Sequence, residues 1–200
     1  MNSNEIAGFG DITSATLVKQ ADFNEGFGME GHFVAKCYDK DGNLKWEEKF
    51  PNLVVAVGKQ LMLDTLLKGS SYTVVGPYLG LISNTFTASA SDTMGSHTWT
   101  EFTNYTVGGS AVRGTAVFAS STSTGSTPSN ITSSTATAIT YTITGAGGTV
   151  YGCFLVLGTG AVNTQSSTTG TLYSEGLFST AKTTTAGDTV SVTYSTTATS

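Results

Sequence analysis

Charge is the scarcest property of this 200-residue chain, because Asp, Glu, Lys and Arg together make up only 12% of it. A soluble domain usually has about a quarter of its residues charged. The formal net charge is -5, from 14 acidic and nine basic residues. A protein that binds nucleic acid by neutralising phosphates needs a basic patch. Nine basic residues under a net negative charge do not supply one, so we exclude direct binding of nucleic acid.

Long apolar runs and cysteines are also scarce. The strongest apolar run, residues 153–157, has the length of a strand and falls well short of the roughly 20 residues that a membrane helix needs. Residues 1–5 lack the charged and apolar regions of a signal peptide, so we expect synthesis in a cytosol and no membrane partner. In that compartment Cys37 and Cys153 are predicted to be buried free thiols rather than a disulfide.

Hydroxyl residues replace charge in the second half of the chain. Residues 101–200 contain 27 Thr and 15 Ser but only five charged residues, whereas residues 1–100 contain 18 charged residues. Thr fits a half-exposed strand, whereas Thr, Ser and Gly are poor helix formers. A hydrophobic content of 38% also excludes a charged disordered chain. The composition therefore predicts an all-β protein with strand faces that are polar but nearly uncharged.

The pattern along the chain divides it into an arm and one domain. Residues 1–30 have weak periodicity and scattered charge, which predicts an extended N-terminal arm lying over this subunit or a neighbour. Residues 31–200 contain about eight or nine short strand patterns separated by turn residues. This spacing predicts a β-sandwich.

A hairpin and a helix are the best-defined local patterns in the first half. Within residues 32–50, two strand patterns flank Asp39-Lys40-Asp41-Gly42-Asn43, a sequence that favours a tight turn. Residues 53–68 have apolar residues spaced in threes and fours, which predicts the one α-helix of the chain. Asn52 is the predicted N-cap and Gly69 the predicted stop.

The second half is predicted to contain strands and loops. Apolar residues alternate with Thr over residues 137–143, which predicts a strand buried on one face. Residues 150–157 are almost continuously apolar, which predicts a strand buried on both faces. Residues 120–134 are predicted to be a low-complexity loop, and residues 170–178 a broken strand.

Residues that could support catalysis are few. His32 and His97 are the only imidazoles, and no Gly-x-Ser-x-Gly elbow accompanies them, so we interpret them as a strand and a loop histidine. The spacing of Glu47, Glu48 and Glu101 does not single out a glycosidase pair, which favours surface charge for all three. We therefore predict that the protein has no catalytic residues and is not an enzyme.

No metal or cofactor site is predicted either. The two Cys and two His residues lack the paired spacing of a zinc site, and no phosphate-binding loop is present. The turn that begins at Asp39 has some features of a calcium loop, but its twelfth position is Phe50 where such a loop needs a bidentate Glu. A plain hairpin turn is the favoured interpretation.

Five aromatic residues are candidates for a glycan-binding surface: Trp46, Tyr72, Tyr78, Trp99 and Tyr105. Trp46 and Tyr78 lie in strand patterns, which favours packing in the core. Trp99 and Tyr105 lie near loops and are the better candidates for contact with a ligand.

Several segments occur together in one order over residues 35–195. They are YDKDGNLKWEE (38–48), FPNLVV (50–55), GKQLMLD (58–64), YLGLI (78–82), DTM (92–94), WTE (99–101), GTLY (170–173) and AGDTV (186–190). This arrangement resembles the small structural proteins of tailed bacteriophages. The motifs are structural rather than catalytic, and they do not include residues 1–30.

The resemblance implies a virion component made in the cytoplasm of a bacterial host. Capsid decoration (cement) proteins of such phages are often β-sandwiches, frequently jelly rolls, that oligomerise over capsomer junctions. The implied partner is the major capsid protein, bound on the capsid exterior by a homo-oligomer, either a trimer or a dimer. The alternative is a tail or fibre component that binds a host surface glycan, and a third possibility is an enzyme such as a depolymerase.

Overall fold

The computed structural model describes residues 28–69, 75–124, 127–131 and 138–199. The arm predicted at residues 1–30 lies outside the described residues, apart from its last three, which begin the first strand. In chain order the described elements are β1 (Gly28–Tyr38), β2 (Leu44–Pro51), β3 (Leu53–Val54), α1 (Ala56–Leu66), β4 (Tyr78–Ile82), β5 (Glu101–Phe102), β6 (Tyr105–Thr106), β7 (Gly114–Thr115), β8 (Thr122–Thr124), β9 (Thr127–Ile131), β10 (Ile139–Ile143), β11 (Gly148–Leu157), β12 (Thr171–Thr184) and β13 (Thr189–Thr199).

The strands form two antiparallel sheets packed on each other, which confirms the predicted all-β sandwich. The first sheet has the order β2-β1-β13-β10-β6, and the hairpin β8-β9 extends it from β13. The second has the order β3-β12-β11-β4-β5, with β7 paired to β4. The jelly-roll form of the prediction is not confirmed, since the consecutive strands β11 and β12 pair within one sheet.

The main core lies between the two sheets and follows the alternation of the strands. In β10, Ile139, Tyr141 and Ile143 are buried, while Thr140 and Thr142 are exposed. Because side chains alternate between the faces of a strand, one face of β10 packs on the core and the other is polar. This confirms the alternation predicted over residues 137–143 for residues 139–143, whereas residue 137 lies outside the described residues.

β11 is buried on both faces, as its apolar run predicts. Cys153 and Leu155 belong to the core between the sheets, whereas Phe154 and Val156 belong to a second apolar cluster. That second cluster is covered by the loop between β4 and β5, which contributes Trp99. The loop therefore acts as a layer over the outer face of the second sheet.

Both cysteines are buried free thiols, as predicted. Cys37 lies in β1 and Cys153 in β11. Burial raises the pKa of Cys37 to about 12, with a further contribution from the Asp188 carboxylate. Burial alone raises the pKa of Cys153 far above its usual range. Neither thiol forms a thiolate at neutral pH, so both act as small apolar side chains.

The hairpin of β1 and β2 confirms the pattern predicted over residues 32–50. Asp39 Oδ1 accepts the backbone N–H groups of Asp41 and Asn43, at 2.9 and 2.8 Å, and Gly42 takes a φ of 84°. The Asn43 side chain and backbone lower the pKa of Asp39. The Asp39 carboxylate, which begins the turn with some features of a calcium loop, is thus hydrogen-bonded within the turn.

The helix begins three residues later than predicted and ends two residues earlier, at Leu66. α1 starts at Ala56, because Leu53 and Val54 form β3 and pair with β12. The predicted N-cap is also wrong, since Val55 occupies that position without a side-chain cap and Asn52 Nδ2 donates to the Tyr194 hydroxyl at 2.8 Å. A free sheet edge competes with the first helical turn for these backbone groups, and the sheet edge is preferred.

The apolar side of α1 is half-buried over its first two turns and faces solvent towards its end. Gly58 is its only fully buried residue, and a Cβ there would lie 2.7 Å from the Tyr173 carbonyl oxygen. Leu63, Leu66 and Leu67 are 51%, 74% and 81% exposed. The helix is therefore anchored at its start and carries exposed leucines at its end. No helix within the described ranges is long and apolar enough to span a membrane.

Two loop predictions in the second half are wrong. β8 and β9 form a hairpin within residues 120–134, where a low-complexity loop was expected. β12 is one continuous strand from Thr171 to Thr184, where a broken strand was expected, but its pairing with β11 shifts register between Leu172 and Ser174 and between Leu177 and Lys182. Gly176 does not interrupt β12, because a Cβ there would lie 2.6 Å from the Pro51 carbonyl oxygen. The glycine permits close approach of two strand backbones and is compatible with a continuous strand.

Candidate functional site

Three loops beside the second sheet line an open cavity of about 150 Å³. They are the loop before β5, the loop between β6 and β7, and the loop between β11 and β12. We call this site the loop cavity and define it by its lining residues: Met94, His97, Trp99, Thr100, Glu101, Arg113, Ser166, Ser167 and Thr168. Several residues considered above as candidates on chemical grounds meet here.

A buried ion pair forms the floor of the loop cavity. Arg113 Nη2 donates to Glu101 Oε2 at 2.7 Å, and Arg113 Nε donates to Glu101 Oε1 at 3.0 Å. Arg113 is 1% exposed and Glu101 is 8% exposed. Arg113 Nη2 also donates to the Ser167 carbonyl oxygen at 2.7 Å, and the guanidinium lies 5.0 Å from the centre of the Phe154 ring. A buried charge pair is tolerated when its remaining hydrogen bonds are satisfied in this way.

The same carboxylate holds a backbone conformation that costs energy. Ser166 has a φ of 60°, and it is the only non-glycine residue with positive φ among those described. Its N–H donates to Glu101 Oε2 at 2.7 Å, and the Tyr105 hydroxyl donates to Glu101 Oε1 at 3.3 Å. Such a conformation persists where the surrounding contacts determine it. Glu101 therefore fixes the loop between β11 and β12 from below.

A second buried carboxyl group lies behind the cavity wall. Glu175 is fully buried in β12, where its Oε2 accepts Trp99 Nε1–H at 2.7 Å and its Oε1 accepts the Ser89 N–H at 3.2 Å. Burial, together with the neighbouring Asp92 carboxyl group, raises the pKa of Glu175 to about 7. The folded protein therefore keeps this group largely protonated below neutral pH.

The aromatic wall of the cavity is a three-ring stack. The His97 ring lies on Trp99 with centroids 3.6 Å apart and planes 8° apart, and the opposite face of Trp99 lies on Phe154 with centroids 4.4 Å apart. His97 Nδ1 lies 2.8 Å from the Trp99 carbonyl oxygen, which only accepts, so Nδ1 carries a proton. Burial lowers the pKa of His97, which favours the neutral ring.

The arrangement is suited to positioning loops and to hydrogen bonding of a small polar ligand. Glu101 and Glu175 already accept hydrogen bonds at both carboxyl oxygens. Other polar groups that line the cavity are the neutral His97 ring and the hydroxyls of Thr100, Ser167 and Thr168, of which the Ser167 hydroxyl already lies 3.0 Å from Thr169 Oγ1. Among the described residues no group of three His, Cys, Asp or Glu side chains is arranged to hold a metal ion.

The two histidines and three glutamates lie in different places. His32 lies on β1, where Nε2 is 2.8 Å from Ser195 Oγ, while His97 is a loop residue as predicted. Glu47 pairs with Lys36 and is 43% exposed, which agrees with the prediction of surface charge. Glu48 pairs with Lys182 and its side chain is only 13% exposed, so the prediction does not hold for Glu48. For Glu101 that prediction is wrong, because its side chain is buried against Arg113.

The aromatic candidates for a glycan-binding surface also lie in different places. Trp99 is 4% exposed and Tyr105 1%, so the prediction that they are available for ligand contact is wrong. Both lie near loops that fold back over the sheet and bury the rings. Trp46 packs against Phe178 at the edge of the core, as predicted. Tyr78 packs on the second cluster, also as predicted, and Tyr72 lies outside the described residues.

Sequence reasoning missed Arg113 and Glu175 as parts of this site. One signal was available in the scarcity of charge over residues 101–200. Each of the five charged residues there has a specific partner: Glu101 with Arg113, Glu175 with Trp99, Lys182 with Glu48, and Asp188 with Lys45. Where charge is so scarce, each charged residue is a candidate for a structural contact.

Comparison with known proteins yields no match: no protein-family model, no curated protein and no solved structure matches the chain. The architecture therefore rests on the strand pairing described above.

Proposed function

We propose that the protein is a capsid decoration (cement) protein, a virion component that binds the major capsid protein on the outside of a tailed-phage capsid and bridges neighbouring capsomers. The observation that carries the proposal is an uncharged polar face on the first sheet. We call it the hydroxyl face and define it by its residues: Thr140 and Thr142 of β10 and Thr189, Ser191, Thr193 and Ser195 of β13.

Strand pairing makes the hydroxyl face continuous. Thr140 lies opposite Ser191, and Thr142 lies opposite Thr189, so the hydroxyls form adjacent rows on two neighbouring strands. Thr140 and Thr142 are exposed. The nearest charge on the next strand is Lys36, opposite Ser191, and it is paired with Glu47 at 2.9 Å.

Such a face suits docking onto another protein. Removing a neutral hydroxyl from water costs less than removing a charge, and no like-charge repulsion opposes contact. A flat hydroxyl surface on one subunit makes a weak contact. Copies that form a homo-oligomer on a capsid lattice engage several weak contacts at once, which multiplies their effect. This supports a dimer or trimer that strengthens the shell.

The buried polar groups support a role without catalysis. Glu101 and Glu175 are hydrogen-bonded at both carboxyl oxygens and hold loops in place. A general acid or base must be able to reach the proton that it transfers. Carboxyl groups engaged as these are contribute to stability and to loop geometry instead.

Binding of the purified protein to capsids that lack it tests the proposal. The full-length double variant Thr140→Glu with Thr142→Glu places two charges on the hydroxyl face. It is expected to lose binding in co-sedimentation. Thr115→Glu, at an exposed threonine on the second sheet, is the matched control and is expected to bind normally. Cryo-EM is expected to show many copies over capsomer junctions. Copies confined to one vertex, or equal binding by the double variant, would contradict the proposal.

The second candidate is a tail or fibre component that binds a host surface glycan. The loop cavity favours it, because Thr100, Ser167 and Thr168 place hydroxyls beside the neutral His97 ring. A glycan array with the full chain tests this function. Specific binding that is lost in Thr168→Val would support it, whereas an array without signal, together with a capsid location, would exclude it.

A further inference from the structure

The end of helix α1 carries an uncovered apolar surface. Three adjoining depressions of about 250, 250 and 340 Å³ all include Met62 in their walls. Leu63, Leu66 and Leu67 line them and are more than half exposed. Residues spaced by three and four lie on one side of a helix, so these leucines form one strip. We call the strip, with Met29, Lys59 and Met62, the helix groove.

A continuous apolar surface of this kind usually marks a contact site. The chain itself indicates what covers it, because Met29 lines the groove beside Lys59, Met62 and Leu63. Residues 1–27 join the described structure at Gly28, next to Met29. This segment therefore enters the domain at the groove.

The composition of residues 1–27 complements the groove. The segment contains three phenylalanines, Phe9, Phe23 and Phe27, and four further Ile, Leu or Val residues. It has four acidic side chains and one basic side chain, whereas the groove includes Lys59 and ends beside Lys68. The acidic residue of the helix, Asp64, lies on a different side, in a depression with Val57 and Gln60.

The reach is also sufficient. An 11-residue helix is about 16 Å long, whereas 27 residues span up to about 90 Å when fully extended. A segment tethered beside its site has an effective concentration on the order of millimolar, so modest contacts are enough to hold it. This favours docking within one chain over capture of a separate partner.

We propose that residues 1–27 bind the helix groove of their own chain, with their apolar side chains over Met62, Leu63 and Leu66. The groove is then an intramolecular docking site that determines where the N-terminal segment lies on the domain surface. This inference does not depend on the proposed capsid function, and each can fail without the other.

Paramagnetic relaxation in the full-length protein tests the docking. Gln60→Cys carries a nitroxide label beside the groove, within about 10 Å of it across the helix. The native thiols are buried and stay unlabelled. In a dilute ¹⁵N-enriched sample, amide signals of residues 1–27 are expected to lose most of their intensity. Leu44→Cys, at the far end of β1 and β2, is the matched label control and is expected to leave them unchanged.

A mixed sample and a groove variant complete the test. Labelled protein without ¹⁵N is mixed with unlabelled ¹⁵N protein, and no loss of signal is expected there. Loss of signal in the mixed sample as well would assign the groove to a second copy, and no loss in any sample would leave it uncovered; either result overturns the proposal. Leu63→Ser with Leu66→Ser, in the labelled chain, is expected to restore the signals while the β13 amide shifts stay unchanged.

Discussion

In the loop cavity the protein buries charged groups, whereas in the helix groove it exposes apolar ones. Arg113 and Glu101 are almost inaccessible to solvent, yet each forms several hydrogen bonds. Leu66 and Leu67 are largely exposed, and the described residues leave them uncovered. Both sites depart from the usual distribution, in which charged side chains are exposed and leucines are buried.

The difference shows which of the two surfaces is complete by itself. Burying Arg113 and Glu101 is costly, and the cost is offset by bonds to each other and to Ser166 and Ser167 within one chain. Exposed leucines gain stabilisation only when another segment covers them. The loop cavity therefore carries internal stability, whereas the leucines of the helix groove contribute to stability only when another segment covers them.

Removal of Arg113 is expected to have the largest effect. In Arg113→Met the Glu101 carboxylate stays buried without its counter-charge, which is expected to cost about 3–5 kcal/mol of unfolding free energy. Urea unfolding monitored by tryptophan fluorescence measures it. The control is the double variant Arg113→Met with Glu101→Gln, which leaves no charge unpaired while the amide oxygen can still accept the Ser166 N–H, and it is expected to recover part of the loss. A single variant as stable as the parent would contradict the role given to the pair.

The second-largest expected effect is the pH dependence of the unfolding free energy that arises from Glu175. Its pKa rises from 4.5 in the unfolded chain to about 7 in the folded protein. Folding then favours the protonated form, so this contribution is complete below about pH 4.5 and is lost as pH rises to about 7. The expected loss is about 3 kcal/mol, because the rise of about 2.5 pKa units is multiplied by 1.36 kcal/mol per unit.

Glu175→Gln provides the control for that slope. Its amide cannot titrate, so the difference in unfolding free energy between the parent protein and this variant is expected to change between pH 4.5 and 7 and to stay flat above pH 7. Urea melts at closely spaced pH values measure it. Parallel curves for the two proteins would show that Glu175 does not bind a proton preferentially in the folded state.

The contact at Gly58 is expected to have an intermediate effect. Gly→Ala inside a helix normally stabilises it by about 1 kcal/mol. At Gly58 the new Cβ would lie 2.7 Å from the Tyr173 carbonyl oxygen, and a backbone atom cannot move away cheaply. We expect Gly58→Ala to destabilise the protein by about 1–2 kcal/mol, as overpacking does. Thermal unfolding measures it, with the exposed Gln60→Ala as a near-neutral comparison.

The smallest expected effect tests whether residues 1–27 cover the helix groove or leave it exposed. Leu44 is 53% exposed and Leu66 74%, so exposure alone predicts that Leu44→Ser costs more. With residues 1–27 docked, Leu66→Ser is expected to cost about 1 kcal/mol and Leu44→Ser only a few tenths. Unfolding of both full-length variants under one condition gives the order. Leu44→Ser as the more damaging change would count against docking.

Patterns that depend on neighbours in the chain were predicted well. The alternation of Ile139, Tyr141 and Ile143 identified the buried face of β10, since side chains of a strand alternate between its faces. The turn at Asp39 and Gly42 placed the first hairpin because its geometry is local. Both predictions depended on a few consecutive residues.

Features that depend on distant partners were predicted poorly. The start of α1 was misplaced because Leu53 and Val54 pair with Glu175 and Ser174, more than 100 residues later. The exposure of the leucines at the end of α1 was not predicted either. Apolar spacing identifies the apolar side of a helix, but it does not show which other segment covers that side. The candidate site shows the same limit, since Arg113 and Ser166 meet Glu101 only through long loops.

By itself, the sequence determined the fold class, all-β. Strand periodicity, turn residues and the lack of charge are properties of short segments and of composition. The sequence also determined that residues 101–200 have few groups available for acid–base chemistry. Only the tertiary structure decided how those few charges are used, since the partners of Glu101, Glu175 and Asp188 come from other segments. It also decided that the leucines of α1 face outward, because burial depends on which other surfaces the fold brings to them.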